Sequence, residues 1–262
     1  MIYFYTSDFK NTTKRFFKNV EQTLEDYIIL ITCERAEIYT TKKIKLNLKR
    51  QEGKEALTHL LFVCCGIKST VIGEIEILEQ ISDAFDKAVR EEHCSDELKG
   101  YFSFAIDKSK EIRKISGIFI SFSDKFIDKV IRAHKNLPII VVGTGKLGTN
   151  LIRILKNKNY QSIFISSKDI KRAELIGRNY DIPTIGLKEI NNNSVILLAT
   201  EHITKSKVDT FKNSCYVYDL RHKNYSNLVK EMELTDGRLV DINKIKELIS
   251  MNIKKFSAPS RL

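Results

Sequence analysis

The chain has 262 residues, enough for two domains of ordinary size, each with its own core. Its 42% hydrophobic and 29% charged residues describe a soluble globular protein, and no apolar run is long enough to cross a bilayer. The opening "MIYFYTSDFKNTTKR" lacks a basic region followed by a long apolar stretch, so a cytoplasmic protein without membrane contact is expected.

Residues 1 to about 50 read as an α/β unit. "MIYFYTS" and "YIILITC" are short β-prone runs, and "NTTKRFFKNVEQTL" between them has a helical period. A helix is predicted from Lys54 to Cys65, where Ala56, Leu57, Leu60, Leu61, Val63 and Cys64 form an apolar face. Further helices are predicted over Ile75 to Arg90 and about Glu97 to Lys114. A second region opens at Pro138. "LPIIVVGTGKLGTNLIRILKNKNY" reads as strand, glycine turn and helix, and "QSIFISS", "KRAELIGRNY", "NSVILLAT" and "SCYVYDL" follow as strand, helix, strand and strand. Strands alternating with helices predict a parallel, doubly wound sheet. After about Leu228 the chain is polar, apart from the amphipathic "INKIKELISMNIKK".

The expected fold class is therefore α/β. An N-terminal catalytic and substrate-recognition domain spans 1–125, a Rossmann-type nucleotide-binding domain spans 126–228, and a short helical tail spans 229–262.

Gly143, Gly145 and Gly148 form G-x-G-x-x-G after a strand and at the start of a helix. The first glycine permits the tight turn, the second lets backbone approach a pyrophosphate, and the third lets helix and strand pack closely. A helix N-terminus then presents its N–H groups to the phosphates. The loop Gly143-Thr144-Gly145-Lys146-Leu147-Gly148 is thus a candidate dinucleotide site. The next strand ends in Ser166-Ser167-Lys168, with Lys171 and Arg172 close behind, where an NAD site would carry a carboxylate. Hydroxyls and cations suit a 2′-phosphate, with no carboxylate expected to repel it, so NADPH is the expected cofactor.

Five cysteines (Cys33, Cys64, Cys65, Cys94 and Cys215) make an odd count without a framework, and read as free thiols. No CxxC pair exists and the five histidines are scattered, so no metal site is expected. Cys64 and Cys65 sit in an apolar helix and read as core. Cys33 ends an apolar run in "LITCERAEIY", beside Arg35, a cation that favours thiolate. In a nucleotide-dependent redox protein a thiolate can carry an acyl group that hydride reduces to an aldehyde. Judged by local sequence alone, a packing role for Cys33 outweighs a nucleophilic one. The formal charge of +11 favours a polyanionic partner, although biased composition gives the same excess.

Four stretches together resemble one family. "LITCERAEIY" resembles the S-T-C-N-R-T-E-x-Y segment of glutamyl-tRNA reductases. "ALTHLLFVCCGIKSTVIGEIEILEQISDAF" resembles their H-L-F-x-V-A-x-G-L-D-S-x-V-L-G-E-x-Q-I-L-G-Q segment, "KEIRKISGI" their K-x-V-R-x-E-T-x-I stretch, and "VVGTGKLG" their nucleotide loop. Order and spacing agree from about residue 1 to 245. The resemblance implies NADPH-dependent reduction of glutamyl-tRNA to glutamate-1-semialdehyde, the first step of five-carbon tetrapyrrole (porphyrin, sirohaem, cobamide) biosynthesis. It implies that Cys33 is the nucleophile and His59 the second catalytic residue. Thr32, Glu34, Arg35, Ser69, Glu74, Ile75, Glu76 and Gln80 fall on substrate-contact positions. Implied partners are glutamyl-tRNA and the downstream semialdehyde aminomutase.

Several positions depart from the pattern. Glu34 stands where the family has Asn, Ala36 where it has Thr, Ile75-Glu76 where it has Pro-Gln, and Glu79 where it has Gly. Carboxylates at 34 and 76 would repel a glutamyl side chain unless protonated or turned away. Family members continue through a spinal helix into a dimerisation domain, and this chain ends within what begins that helix, which leaves its oligomeric state open. Two other readings stand beside the enzyme. One is a non-catalytic relative that binds tRNA, pathway enzymes or a regulator. The other is a sirohaem-branch precorrin-2 dehydrogenase, which would not predict the cysteine segment.

Overall fold

Alternation along Ile2-Tyr3-Phe4-Tyr5 sets the first layer, because successive strand residues point to opposite faces. The computed structural model describes residues 1–7, 14–32, 34–45, 48–118, 120–190, 192–200, 202–213, 215–221, 224–232 and 240–256. Strand β1 (Tyr3–Ser7) is followed by α1 (Lys14–Thr23), β2 (Ile28–Ile31), β3 (Ala36–Thr40) and β4 (Lys49–Glu52). The strands form an antiparallel sheet in the order β2-β3-β1-β4. Tyr3 and Tyr5 pack with Val20 of α1 and Ile38, while Ile2 and Phe4 enter the main core on the other face.

That core is completed by helices α2 (Gly53–Cys64), α3 (Glu76–Arg90) and α4 (Asp96–Ser116). In α2 all six residues of the predicted apolar face are buried. Helix α4 has a clear start and stop. Ser95 accepts from the Leu98 N–H at its N-terminus, and Gly117, with φ +66°, takes the left-handed conformation at its C-terminus.

The second unit holds α5 (Phe122–Ala133), β5 (Ile139–Val142), α6 (Lys146–Asn157), β6 (Ile163–Ser166), α7 (Ile170–Tyr180), β7 (Val195–Leu198), α8 (Lys205–Lys212), β8 (Tyr216–Asp219) and α9 (Tyr225–Glu231). Its four strands are all parallel in the order β6-β5-β7-β8. Every residue of β5 and β7 is buried, as both-face coverage of a parallel sheet requires. A lone parallel bridge from Ile165 to Thr184 flanks β6. Counting it as a vestigial strand gives the order 3-2-1-4-5 of a dinucleotide-binding sheet.

The last helix, α10 (Ile242–Lys255), coincides with the amphipathic stretch read from the sequence. Its Ile245, Ile249 and Ile253, four residues apart, form one buried stripe in the core shared with α2 and α4. The chain accordingly divides into Met1–Ser121 with Thr235–Leu262, and Phe122–Leu234. The helix read as part of a separate tail belongs to the first unit. Among the described residues no helix is long and apolar enough to cross a membrane.

Candidate functional site

Strands β2 and β3 pair with Ile31 opposite Ala36, and Thr32, Glu34 and Arg35 lie in the turn between them. The Thr32 N–H donates to the Arg35 carbonyl at 2.9 Å, and the Thr32 hydroxyl accepts from the N–H groups of Glu34 and Arg35 at 3.2 Å each. Threonine here organises the turn, since a short hydroxyl side chain can satisfy the next backbone donors. Cys33, the candidate nucleophile, lies outside the described residues.

The turn meets the segment after α2. Both Glu34 carboxylate oxygens accept from the Thr70 N–H, at 3.0 and 3.1 Å, and Glu34 lies 3.5 Å from the Arg35 guanidinium. Arg35, 8% exposed, donates through Nη2 to the Lys68 carbonyl. Between these anchors sits the buried Ser69. Arg113 fixes the far end of the segment. It is fully buried on α4 and donates to the carbonyls of Cys64, Gly73 and Glu74 at 2.7–3.0 Å.

Two donors in this cluster stand apart. Arg35 Nη1 and Ser69 Oγ are enclosed and have no hydrogen-bond partner among the described residues. Leaving a buried donor unpaired costs about 1–3 kcal/mol, more for a charged group, so each of these donors is an unmet demand within the cluster.

Glu37, on β3, joins the turn to α2. Its Oε1 lies 3.0 Å from His59 Nε2 and 3.7 Å from Arg35 Nε, and its Oε2 accepts from the Tyr39 hydroxyl at 2.8 Å. Phe4 stacks on the His59 ring at 3.9 Å. Burial, followed by the Glu37 carboxylate, drives the Tyr39 phenol well above its usual range, so Tyr39 serves as a donor. Sequence reading missed Glu37, although "AEIYT" places it two residues before Tyr39 on the same strand face.

The remaining residues drawn from the resemblance are spread out. Glu74 is buried, Ile75 and Glu76 are half-buried, and Gln80 is exposed on α3. Glu76 accepts from the Ser121 hydroxyl at 2.8 Å. Glu34 is committed to Thr70, which answers how a carboxylate is accommodated there. The core cysteines are inert by environment. Burial pushes the Cys64 thiol far above its usual range and raises Cys65 and Cys94 to about 12.

In the second unit the glycine turn follows β5. A Cβ on Gly143, at φ +132°, would lie 2.6 Å from the Ala199 carbonyl oxygen, and one on Gly148 would lie 2.2 Å from that of Gly143. Among the described residues a Cβ on Gly145 would meet nothing within 4 Å and no side chain caps α6, so the helix N-terminus is open there. This backbone fits a pyrophosphate.

The turn lines a cleft of about 500 Å³ with Thr144, Gly145, Ser167, Lys168 and Arg172. Asp169, Thr200 and His202, absent from the sequence reading, line it too. The expectation of no carboxylate near this strand end needs correcting, because Asp169 follows Lys168. Its side chain is engaged, accepting from the Arg172 N–H at 3.1 Å as the cap of α7. Ser166 is fully buried, outside the cleft lining, and its carbonyl accepts from the Gly143 N–H at 2.9 Å. Gly148 is also buried, and Lys146 and Leu147 lie on α6 outside that lining.

Comparison with known proteins follows this architecture. Residues 2–116 match the model of the glutamyl-tRNAGlu reductase N-terminal domain. Glutamyl-tRNA reductase from Picrophilus torridus is 26% identical over 96% of this chain and 69% of its own length. The Methanococcus aeolicus protein of the same name is 27% identical over 88% of this chain and 65% of its own. The solved glutamyl-tRNA reductase from Methanopyrus kandleri superposes with a TM-score of 0.53 at 20% identity, covering 97% of this chain and 79% of that one. The chain thus spans about two thirds of the length of these curated relatives. A matching N-terminal domain, similarity running on through the nucleotide-binding unit and a shared fold converge: residues 2–116 match the glutamyl-tRNA reductase N-terminal domain, and most of the chain is similar to glutamyl-tRNA reductases.

Proposed function

We propose that the chain reduces glutamyl-tRNA to glutamate-1-semialdehyde with NADPH, through a glutamyl thioester on Cys33, as the entry to five-carbon tetrapyrrole synthesis. The observation that carries this reading is the pair of unpartnered buried donors, Arg35 Nη1 and Ser69 Oγ. A glutamyl side-chain carboxylate would satisfy both, since a guanidinium fork favours carboxylate oxygens. Arg35 immediately follows the C-E pair, so the recognition residue and the assigned nucleophile are two positions apart in sequence.

In this scheme the Cys33 thiolate attacks the ester carbonyl of glutamyl-tRNA. The bond to the ribose oxygen breaks, and that oxygen leaves with a proton. His59, fixed by Glu37 and Phe4, is assigned the proton transfer. The glycine turn would hold the cofactor pyrophosphate, and Ser167, Lys168 and Arg172 its 2′-phosphate. NADPH bound there supplies the hydride that turns the thioester into the aldehyde and frees the thiolate. The same reading implies a cytoplasmic enzyme whose product passes to an aminomutase.

Incubation with glutamyl-tRNA and NADPH tests it, with semialdehyde measured directly. Wild-type protein is expected to form product and Cys33→Ser none. Lack of product from wild type, or unchanged product from the variant, overturns the proposal.

A further inference from the structure

We infer that the basic edge of the first sheet, formed by Lys42, Lys43, Lys45, Lys49 and Arg50, docks the phosphodiester backbone of the substrate RNA near its acylated end. The inference rests on the tRNA-dependent reading above and adds to it a surface. The segment reads KKIKLNLKR, with five cations and no acid. All five (Lys42, Lys43, Lys45, Lys49 and Arg50) are exposed. Among the described residues none of the four lysines has an ion-pair partner, and Arg50 contacts only the exposed Glu52, at 3.5 Å. Several lysines elsewhere pair with acids instead: Lys87 with Glu91, Lys99 with Asp96, and Lys108 with Glu111. An exposed single-sign stretch whose lysines have no acidic partner among the described residues is an arrangement that steers a polyanion.

The stretch is held in place. The Tyr5 hydroxyl, on a nearly fully buried side chain, donates to the Ile44 carbonyl at 3.1 Å and accepts from the Ile44 N–H at 2.9 Å. The Lys42 N–H donates to the Thr40 hydroxyl at 3.0 Å. Residues 42–45 therefore leave β3 on a fixed course, and β4 is an edge strand with every residue exposed. A preorganised loop loses less conformational freedom on binding.

Register brings this edge to the catalytic cluster. Thr6 pairs with Glu37 on one side and with Lys49 on the other. Lys49 is thus two strand spacings from Glu37, about 10 Å. RNA that delivers its terminal acyl group to the turn after β2 brings backbone phosphates within reach of that distance. Lysine and arginine also protect sheet edges against pairing with other chains. Edge protection accounts for Lys49 and Arg50, but not for Lys42, Lys43 and Lys45, which precede the strand.

The test compares wild type with Lys42→Gln/Lys43→Gln/Lys45→Gln, with Lys49→Gln/Arg50→Gln, and with Lys108→Gln as a control on α4. Dissociation constants for cognate tRNA are measured across a salt series. NADPH-dependent reduction of a small glutamyl thioester is assayed alongside. Each lost phosphate contact should flatten the slope of log K against log salt by about 0.7–0.9. The two edge variants should bind tRNA more weakly and with flatter slopes, with thioester reduction unchanged, and Lys108→Gln should match wild type. Edge variants that keep the wild-type slope and affinity overturn the surface while leaving the function intact. Edge variants that aggregate but bind tRNA as wild type assign the cations to edge protection and also overturn it. A wild-type protein that binds no tRNA removes both this inference and the function it rests on.

Discussion

Glu37 Oε1 lies 3.0 Å from His59 Nε2, joining the second strand of the turn's hairpin to the buried side of α2. The pair is nearly enclosed, with side chains 4% and 11% exposed, and Phe4 stacks on the imidazole. A carboxylate bonded to one ring nitrogen fixes both the orientation of the ring and the tautomer available at the other nitrogen.

Glu37→Gln keeps the shape and removes the charge. It is expected to lower kcat by about ten- to a hundredfold, the range for loss of a partner that orients a functional histidine, while KM for glutamyl-tRNA changes little. Glu37→Asp should recover part of the loss. A merely structural role would instead appear as equal losses of thermal stability in both variants, with kcat of the folded fraction unchanged. Steady-state kinetics beside thermal unfolding separate the two.

Arg35→Lys retains charge and loses the fork. Nη2 donates to the Lys68 carbonyl and Nη1 is the unpartnered donor assigned to the substrate carboxylate. Hydrogen bonds to charged groups are worth about 1.5–3 kcal/mol, so kcat/KM for glutamyl-tRNA should fall roughly ten- to a hundredfold. Unchanged kcat/KM would remove Arg35 from substrate recognition.

Much of this arrangement was legible in the sequence wherever backbone requirements dictate residue type. Gly143 and Gly148 are glycines because a Cβ would strike carbonyl oxygens, and α10 is visible because Ile245, Ile249 and Ile253 repeat at helical spacing. Strand β3 escaped notice because Glu37 faces the core, which breaks the apolar pattern that marks a strand. Strand β4 escaped because "KRQE" has no apolar residue. The Glu37–His59 pair joins residues 22 apart in sequence, and such a relation arises only when the sheet forms. Asp169 was overlooked as a cleft residue because its neighbours Lys168 and Arg172 dominate the local charge. The role of Cys33 rested on motif register rather than local chemistry.

Arg113→Met tests the clamp on the segment that carries Ser69. Four donated bonds to three carbonyls disappear and the carbonyls stay buried. Breaking a buried charged network costs roughly 3–5 kcal/mol, which should appear as a lower urea midpoint. Because the same segment presents Ser69, KM for glutamyl-tRNA should rise in whatever fraction still folds.

Arg172→Ala tests cofactor choice. Arg172 lines the cleft beside Lys168, next to the capping Asp169. Loss of one charge-assisted contact to a 2′-phosphate should raise KM for NADPH about tenfold and leave KM for NADH unchanged. Equal effects on both cofactors would assign Arg172 to the stability of α7 instead.

Asp26 gives the stability a pH signature. Burial pushes its carboxyl up, but hydrogen bonds from Thr41 and Ser95 together outweigh this and hold it below the ordinary 3.8. The Ser95 N–H donates at 2.7 Å and the Thr41 N–H at 3.0 Å, tying the end of β3 to the start of α4. With the folded value below the unfolded one, the stabilisation is fully present above the unfolded value and is lost as pH falls through the folded one. Asp26→Asn should therefore be less stable than wild type at pH 7, by about 1–3 kcal/mol for the charge-assisted bonds. The gap should close progressively on acidification below about pH 4, where the wild-type carboxyl begins to protonate in the unfolded chain. Urea titrations of both proteins between neutral and acid pH read this directly. A gap that stays constant across the range would show that the Asp26 charge contributes nothing to the fold.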